Sequence, residues 1–313
     1  MKENLRAAYG RALVDLGAHD NRIVALEADL GKSTMSAMFG EAYPERYFQM
    51  GIAEQNMASV AAGMALAGKV PFIHSFAVFA SGRAYDQIRS SVCIPNLNVN
   101  ICGSSAGLSD FGDGKTHQSI DDIAIMRVLP HMAVLSPADA VETAQMVRAM
   151  AEYPGPCYIR INRNDLPVLP HDADGSYEIG RMREVRPGSD VAVLATGVMV
   201  HQALAAAESL AAEGVSVRVI NVSTIKPLNA EALHACVEGV RAIVTAEEHS
   251  IHGGLGSAVC EALSDIGKPV SILGIRDGFG TSAENYDVLL SRYHLMPEDV
   301  AEAVRDALKK SDK

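Results

Sequence analysis

QMGIAEQNMASVAAGMALAGKVPFIHSFAVFASGRAYDQIR, residues 49–89, is the stretch from which the rest of the chain can be read. From Gln55 to Gly68 it carries no charged residue, and Ala, Val and Met fill nearly every turn, which predicts a helix buried on all sides. A lone carboxylate, Glu54, stands where that helix begins. There it gains from the helix dipole, and in a site closed to water it would hold a proton more readily, making it a group that can share or donate one. A Glu that only caps its own helix is the commoner case. Pro71, Phe72 and Ile73 read as a buried strand, followed by Phe76, Phe79 and the start of an amphipathic helix at GRAYDQIRSSV. Aromatic residues make up only 5% of the chain, so two rings close to the carboxylate suggest a flat apolar wall for a heterocycle whose edge meets Glu54. A core role for both rings is the alternative.

Helical and strand patterns alternate along the chain. Residues 3–17 predict a helix, Arg22–Glu27 a strand, and Asp29–Ser36 a loop carrying Gly31, Lys32 and Ser33. Strands follow at Asn98–Cys102, Met132–Leu135 and 156–164, with a helix in SPADAVETAQMVRAM between the last two. Periodicity fades over Asp165–Pro187, where Pro167, Pro170, Asp172, Asp174 and Gly175 concentrate, predicting a linker. Beyond it come strands at Asp190–Thr196, Ser216–Val222, Arg241–Glu247 and Val270–Gly274. Helices are expected at Val200–Ala212, Ala230–Glu238, Leu255–Ile266 and from Pro297 onward. The expected fold class is α/β, with two successive open domains of mostly parallel sheet at 1–166 and 188–313 and a linker at 167–187.

At 313 residues and 48% hydrophobic, the chain can bury two cores. A net charge of −11 argues against nucleic-acid binding, and no basic run suggests a membrane surface. MKENLRAAYGRALVDLG is an amphipathic pattern rather than a signal peptide, no segment has the apolar length of a membrane span, and the cytoplasm is expected. Cysteines 93, 102, 157, 236 and 260 are odd in number and form no CxxC pair. They suit small buried hydrophobes in a reducing compartment better than a zinc site or disulfide framework.

GIAEQNM, then SFAVF and RAYDQIR, then GDGKTHQSIDDIAIMRVLPHMAVLSPADAVE at 112–142 resemble the pyrimidine-binding half of transketolases. The motifs stand in the family's order, and the resemblance covers nearly the whole chain. It implies thiamine diphosphate as cofactor, with Glu54 bonded to N1′ and Phe79 stacked on the aminopyrimidine, Phe76 beside it. A proton shared at N1′ favours the imino form, whose 4′-nitrogen can remove the C2 proton to give an ylid. The resemblance also places Asp29 near the cofactor at a subunit contact and matches Arg6, Ser33 and Arg163 to residues that bind the sugar phosphate. Asp113 and His117 are the positions that face substrate hydroxyls, His117 as a second catalytic residue. Many transketolases carry a substrate-binding His where this chain has Ser105, whose short neutral hydroxyl has neither the reach nor the charge of imidazole. An unusual sugar is therefore expected, with His74 as a partial substitute. Arg160 is expected to form an ion pair.

Gly107, Gly112 and Gly114 mark the loop before His117 as tight and irregular. GDG at 112–114 lacks the downstream Asn of a magnesium and diphosphate site, so no metal site is expected in this chain. EEHSIHGGLGSAV at 247–259 has neither a Walker lysine nor a full GxGxxG, and its carboxylates would repel an anion. Its glycines read as letting a helix start close to the sheet, with Glu247 and His249 at a subunit contact.

The resemblance implies the small, C-terminal subunit of a split transketolase. A separate N-terminal subunit would hold the diphosphate and Mg2+ in an α2β2 assembly, since this chain opens on Met and its own helix. The implied reaction moves a two-carbon ketol group from a ketose phosphate to an aldose acceptor. Alternatives are a deoxyxylulose phosphate synthase-like subunit, a 2-oxoacid dehydrogenase β-like subunit, and a non-catalytic scaffold. The first shares AEQ, RAYDQ and DGxTHQ but has Arg where Ser105 stands, and the second lacks THQ. A scaffold would not need Glu54, Phe79, Asp113, His117 and Arg163 together.

Overall fold

The computed structural model describes residues 1–171 and 175–311. Asp172 and Asp174 of the predicted linker lie outside the described residues. In chain order, the strands through residue 167 are β1 (Lys2–Asn4), β2 (Ile23–Glu27), β3 (Tyr47–Gln49), β4 (Val70–Phe76), β5 (Asn100–Ser104), β6 (Ala133–Leu135), β7 (Cys157–Ile161) and β8 (Asp165–Pro167). They are followed by β9 (Arg183–Arg186), β10 (Val191–Ala195), β11 (Val217–Asn221), β12 (Thr224–Lys226), β13 (Ala242–Ser250) and β14 (Val270–Ile275). The larger sheet has seven strands in the order β12-β6-β7-β5-β4-β2-β3, and the second has five in the order β14-β13-β10-β11-β9. Within these two sheets every pair is parallel except the edge pairs β12–β6 and β11–β9, and β1 and β8 form a separate antiparallel pair. The fold is thus α/β with mostly parallel sheets. Strands β2, β4, β5, β6, β7 and β10 are buried throughout, as strands covered on both faces must be.

The two sheets are not separate bodies. Strand β12, from the later part of the chain, pairs with β6 of the larger sheet, and one apolar core runs from Leu5 and Tyr9 through Met146 and Ile159 to Val193 and Val200. Within the predicted linker, Pro167 closes β8, which pairs with β1, and 183–186 form β9 at the edge of the second sheet.

Local signals explain the helix ends. Asn4 caps Leu5–His19 by accepting from the Ala7 amide, and Asp139 caps Ala140–Glu152 by accepting from Glu142. Caps of this kind are worth about 1 kcal/mol each.

The helix Glu54–Leu66 differs from expectation. It buries Met57, Ala58, Ala61 and Ala62, while Gln55, Asn56, Ser59, Gly63 and Leu66 are exposed. Lack of charge marks a face that avoids water, but composition does not say whether the cover belongs to the same chain. The amphipathic helix read from GRAYDQIRSSV is also altered: a π-helical stretch at Val78–Arg83, an α-turn at Tyr85–Gln87 and a second π-helical stretch at Ile88–Cys93. Widened turns of this kind recur where a side chain must be re-aimed.

Candidate active site

Strand β2 leads to β3 on one side of the sheet and β4 leads to β5 on the other, so the order reverses between β2 and β4. In open α/β sheets the crevice at the carboxyl ends of such strands is where ligands bind. Glu54 begins the helix after β3, Ser75 and Phe76 end β4, Phe79 follows it, and the 105–118 loop follows β5. The topology brings them to one edge.

Glu54 is buried, 1% exposed, and its carboxylate is not isolated. Oε1 accepts from the Ser75 hydroxyl at 3.1 Å and Oε2 from Arg83 Nη1 at 2.8 Å. Neither partner was among the expected site residues. Arg83 is the one Arg or Lys between Lys69 and Arg89, a signal that could have marked it as the counter-charge for a buried Glu. Its guanidinium carbon lies 4.4 Å from the centroid of Phe79. The Phe76 and Phe79 rings are near-parallel, 15° apart, with centroids 6.2 Å apart. His117 meets both rings edge-on, at 5.4 Å from Phe79 and 6.2 Å from Phe76, and its Nδ1 lies 2.9 Å from Thr116 Oγ1. Glu54, Phe76, Phe79 and His117 are therefore brought together as one cluster.

A second group gathers at Arg6, where Nη1 donates to the Ser33 carbonyl at 2.8 Å. Burial, then nearby Arg163, lowers the proton affinity of the Arg6 guanidinium, with Asp110 and Asp165 acting against them. Arg163 Nη1 donates to Asp110 Oδ2 at 2.6 Å. Asp110, in the same loop as His117, is a site residue that sequence reasoning missed. Its acidic side chain in SDFGDG was the available signal.

Other expected residues stand apart. Asp29 is exposed, with φ 63°, and its amide donates to Gln49. Asp113 is exposed on the loop. Ser105 is fully buried with φ 55°, and its hydroxyl has no hydrogen-bond partner.

The role suggested for His74 is corrected. Its Nδ1 lies 2.9 Å from the Leu26 carbonyl and its Nε2 2.8 Å from the Tyr9 hydroxyl, so both ring nitrogens are used inside the core. Burial pulls its pKa down to about 4. A neutral, enclosed imidazole cannot stand in for a substrate ligand at Ser105.

The reading of 247–259 is corrected in part. A Cβ on Gly254 would fall 1.9 Å from Glu247 Oε2, and one on Gly256 would fall 2.5 Å from Ile272, so the glycines do permit close approach. Glu247 itself accepts from the Leu255 and Gly256 amides at 2.6 and 2.8 Å, occupying the helix N-terminus that an anion would need. Glu247 and His249 are buried within the chain, which leaves them no exposed surface for the expected subunit contact. Arg160 forms the expected ion pair, with Asp122 at 3.0 Å. Next to it, burial pushes Glu248 up to about 7 against the pull of Arg160, Tyr286 and the Leu108 amide.

Among the described residues, no group of three or more His, Cys, Asp or Glu is arranged to hold a metal ion, and no helix is long and apolar enough to cross a membrane.

Comparison with known proteins places this geometry among relatives. The transketolase pyrimidine binding domain matches residues 2–168 and the transketolase C-terminal domain residues 180–300. A Methanocaldococcus jannaschii protein named as a transketolase C-terminal section is 42% identical over 311 residues, 98% of this chain and 97% of that protein. The 6-deoxy-6-sulfo-D-fructose transketolase subunit SqwH of a Clostridium species is 38% identical over 98% of this chain and 95% of its own length. A solved structure titled split gene transketolase, inactive beta4 tetramer, superposes with a TM-score of 0.88 at 46% identity, covering 97% of this chain and 98% of that one.

Proposed function

The chain belongs to the transketolase family, and on that premise we propose that it is the pyrimidine-binding subunit of a split transketolase that moves a two-carbon ketol unit between sugars ending in an anionic group. The observation that carries this reading is Glu54, buried at the head of an uncharged helix beside the Phe79 ring, at the reversal point of the sheet. A flat ring resting on Phe79 with its edge toward a carboxylate is the fit an aminopyrimidine requires, and Arg83, which lies over Phe79 and bonds Glu54 in this chain, would give way to it. Thiamine diphosphate, when bound, supplies a carbon acid whose anion the cofactor itself stabilises.

This chain's residues do the rest. Glu54 would share a proton with the ring nitrogen that faces it, and Ser75, donating to Oε1, fixes the carboxylate's orientation. Phe76 keeps the Phe79 ring in place. His117 orients a substrate hydroxyl, with Asp113 on the same loop and Ser105 at its base. Arg6, Ser33 and Arg163 take the anionic end of the sugar, and Asp29 lies toward the cofactor where a second subunit completes the cleft.

Diphosphate and Mg2+ are assigned to a separate N-terminal subunit in an α2β2 complex. Two observations support a partner. The solved relative is an inactive tetramer of one subunit type, and Ile52, just before the uncharged helix, and Leu66, at its end, are each 74% exposed. The cysteines are free thiols, which suits the reducing cytoplasm.

The test is to purify the chain with whatever accompanies it in its own cell, then assay ketol transfer with thiamine diphosphate and Mg2+. A companion subunit and ketol transfer that depends on it are expected. A chain that comes out alone and turns over no ketose would refute the reading.

A further inference from the structure

The anionic-end group has an internal charge balance that bears on which sugar it accepts. Two guanidiniums, Arg6 and Arg163, face two carboxylates, Asp110 and Asp165. The carboxylates are not equivalent. Asp165 is exposed and accepts from Asn4 Nδ2 at 2.8 Å, so water and ions screen it. Asp110 is 2% exposed and lies 2.6 Å from Arg163, where its charge acts at close range.

Asp110 is also held in place. Its carbonyl accepts from Gln118 Nε2 at 3.1 Å, and the neighbouring Ser109 carbonyl accepts from Asn164 at 3.1 Å. Two residues earlier, the Leu108 amide is bonded to Glu248 at 2.8 Å. A loop pinned at three points does not swing the carboxylate away when an anion arrives. Arg6, by contrast, meets only a neutral carbonyl at Ser33, and its buried Nε has no hydrogen-bond partner. An unpartnered buried N–H on a cation is a donor waiting for an anion.

We propose that Asp110 is a specificity-determining residue: by pairing with Arg163 it leaves Arg6 as the one guanidinium of the two with no carboxylate hydrogen-bonded to it, so this end of the cleft takes a sugar with a singly charged terminal group, such as a sulfonate, in preference to a phosphate dianion. A phosphate monoester is close to doubly charged at neutral pH, and its second charge would face the fixed Asp110 carboxylate. Repulsion of the wrong ligand is as effective a source of specificity as attraction of the right one. This inference rests on the ketol-transfer reading and narrows its substrate class.

The test compares kcat/KM of the assembled complex at pH 8 for 6-deoxy-6-sulfofructose and fructose 6-phosphate, in wild type and Asp110→Asn. Wild type is expected to favour the sulfonate. The variant should shift the ratio toward phosphate by about tenfold, carried by KM for the phosphate sugar. An unchanged ratio, or a higher KM for the phosphate sugar in the variant, would overturn the inference while leaving ketol transfer intact. If the variant does not fold, competitive inhibition of wild type decides: methanesulfonate should inhibit at least as well as inorganic phosphate, and the reverse order overturns the proposal. Absence of turnover with either sugar counts against the ketol-transfer reading instead. The charge argument is then judged on the isolated chain, whose melting temperature methanesulfonate should raise at least as much as phosphate, and the opposite ranking overturns it.

Discussion

The Arg83 guanidinium donates to Glu54 at 2.8 Å while its carbon sits 4.4 Å from the centroid of Phe79, so the residue that neutralises the buried carboxylate also covers the ring beside it. Glu54 is almost fully enclosed and Arg83 is 43% exposed. Removing the Arg strands a buried charge with Ser75 as its remaining partner.

Arg83→Gln is therefore expected to destabilise the chain by about 1–3 kcal/mol, below a fully buried pair because solvent reaches Arg83. Much of that loss should vanish in a Glu54→Gln background. A double-mutant cycle by urea denaturation reads the coupling, expected at about 1–2 kcal/mol. A coupling of a few tenths would mean that the pair is incidental.

His74 gives a pH signature. Its ordinary value of 6.5 falls to about 4 on folding because burial disfavours the charged ring. Between those values the unfolded chain binds a proton that the folded chain does not, so this contribution to stability rises with pH from about 4 to 6.5, is complete above 6.5 and is lost as pH falls. It amounts to about 3 kcal/mol. Glu247 and Glu248, both raised to about 7 by burial, act in the opposite direction across an overlapping window. The informative quantity is the stability difference between wild type and His74→Gln, measured by chemical denaturation across that range. It should increase with pH, and a flat difference would show that His74 titrates normally in the fold.

Gly107 links the site loop to the later part of the chain. Its φ is 65°, and a Cβ there would meet the Glu248 carboxylate at 2.4 Å. Gly107→Ala should cost about 2–3 kcal/mol through strain and displacement of Glu248, and ketol transfer should fall because the loop carries Asp110 and His117. Thermal unfolding and activity together check this. Wild-type values for both would mean that the loop tolerates the shift.

Much of the molecule was legible in the sequence because its signals are local. Short runs buried at every residue, such as Ile23–Glu27 and Val191–Ala195, mark parallel strands, and GIAEQNM placed Glu54 at a helix start from the sequence alone. What stayed hidden depends on distant partners. Strand β12 joins the larger sheet from across the chain, and no local pattern announces that register. The pairs Arg83–Glu54 and Arg163–Asp110 join residues 29 and 53 positions apart, so neither could be seen as a pair in sequence. The His74 role failed for the same reason: its place in the sequence says nothing about which face of β4 its side chain takes. The glycines at 253–256 were read correctly as packing devices because carboxylates stood next to them, yet the burial of Glu247 under the helix start required the fold.

The account stands most directly on one rate, ketol transfer by the complex of this chain with its partner subunit, supplied with thiamine diphosphate and Mg2+, in wild type and Glu54→Gln. The variant keeps the shape and an acceptor for the Ser75 hydroxyl but has no carboxylate to share a proton with a cofactor ring nitrogen. Turnover is expected to fall by about 10²–10⁴-fold, the range for loss of a positioned acid–base group. Turnover within a few-fold of wild type would contradict the assignment of Glu54 as the activating residue.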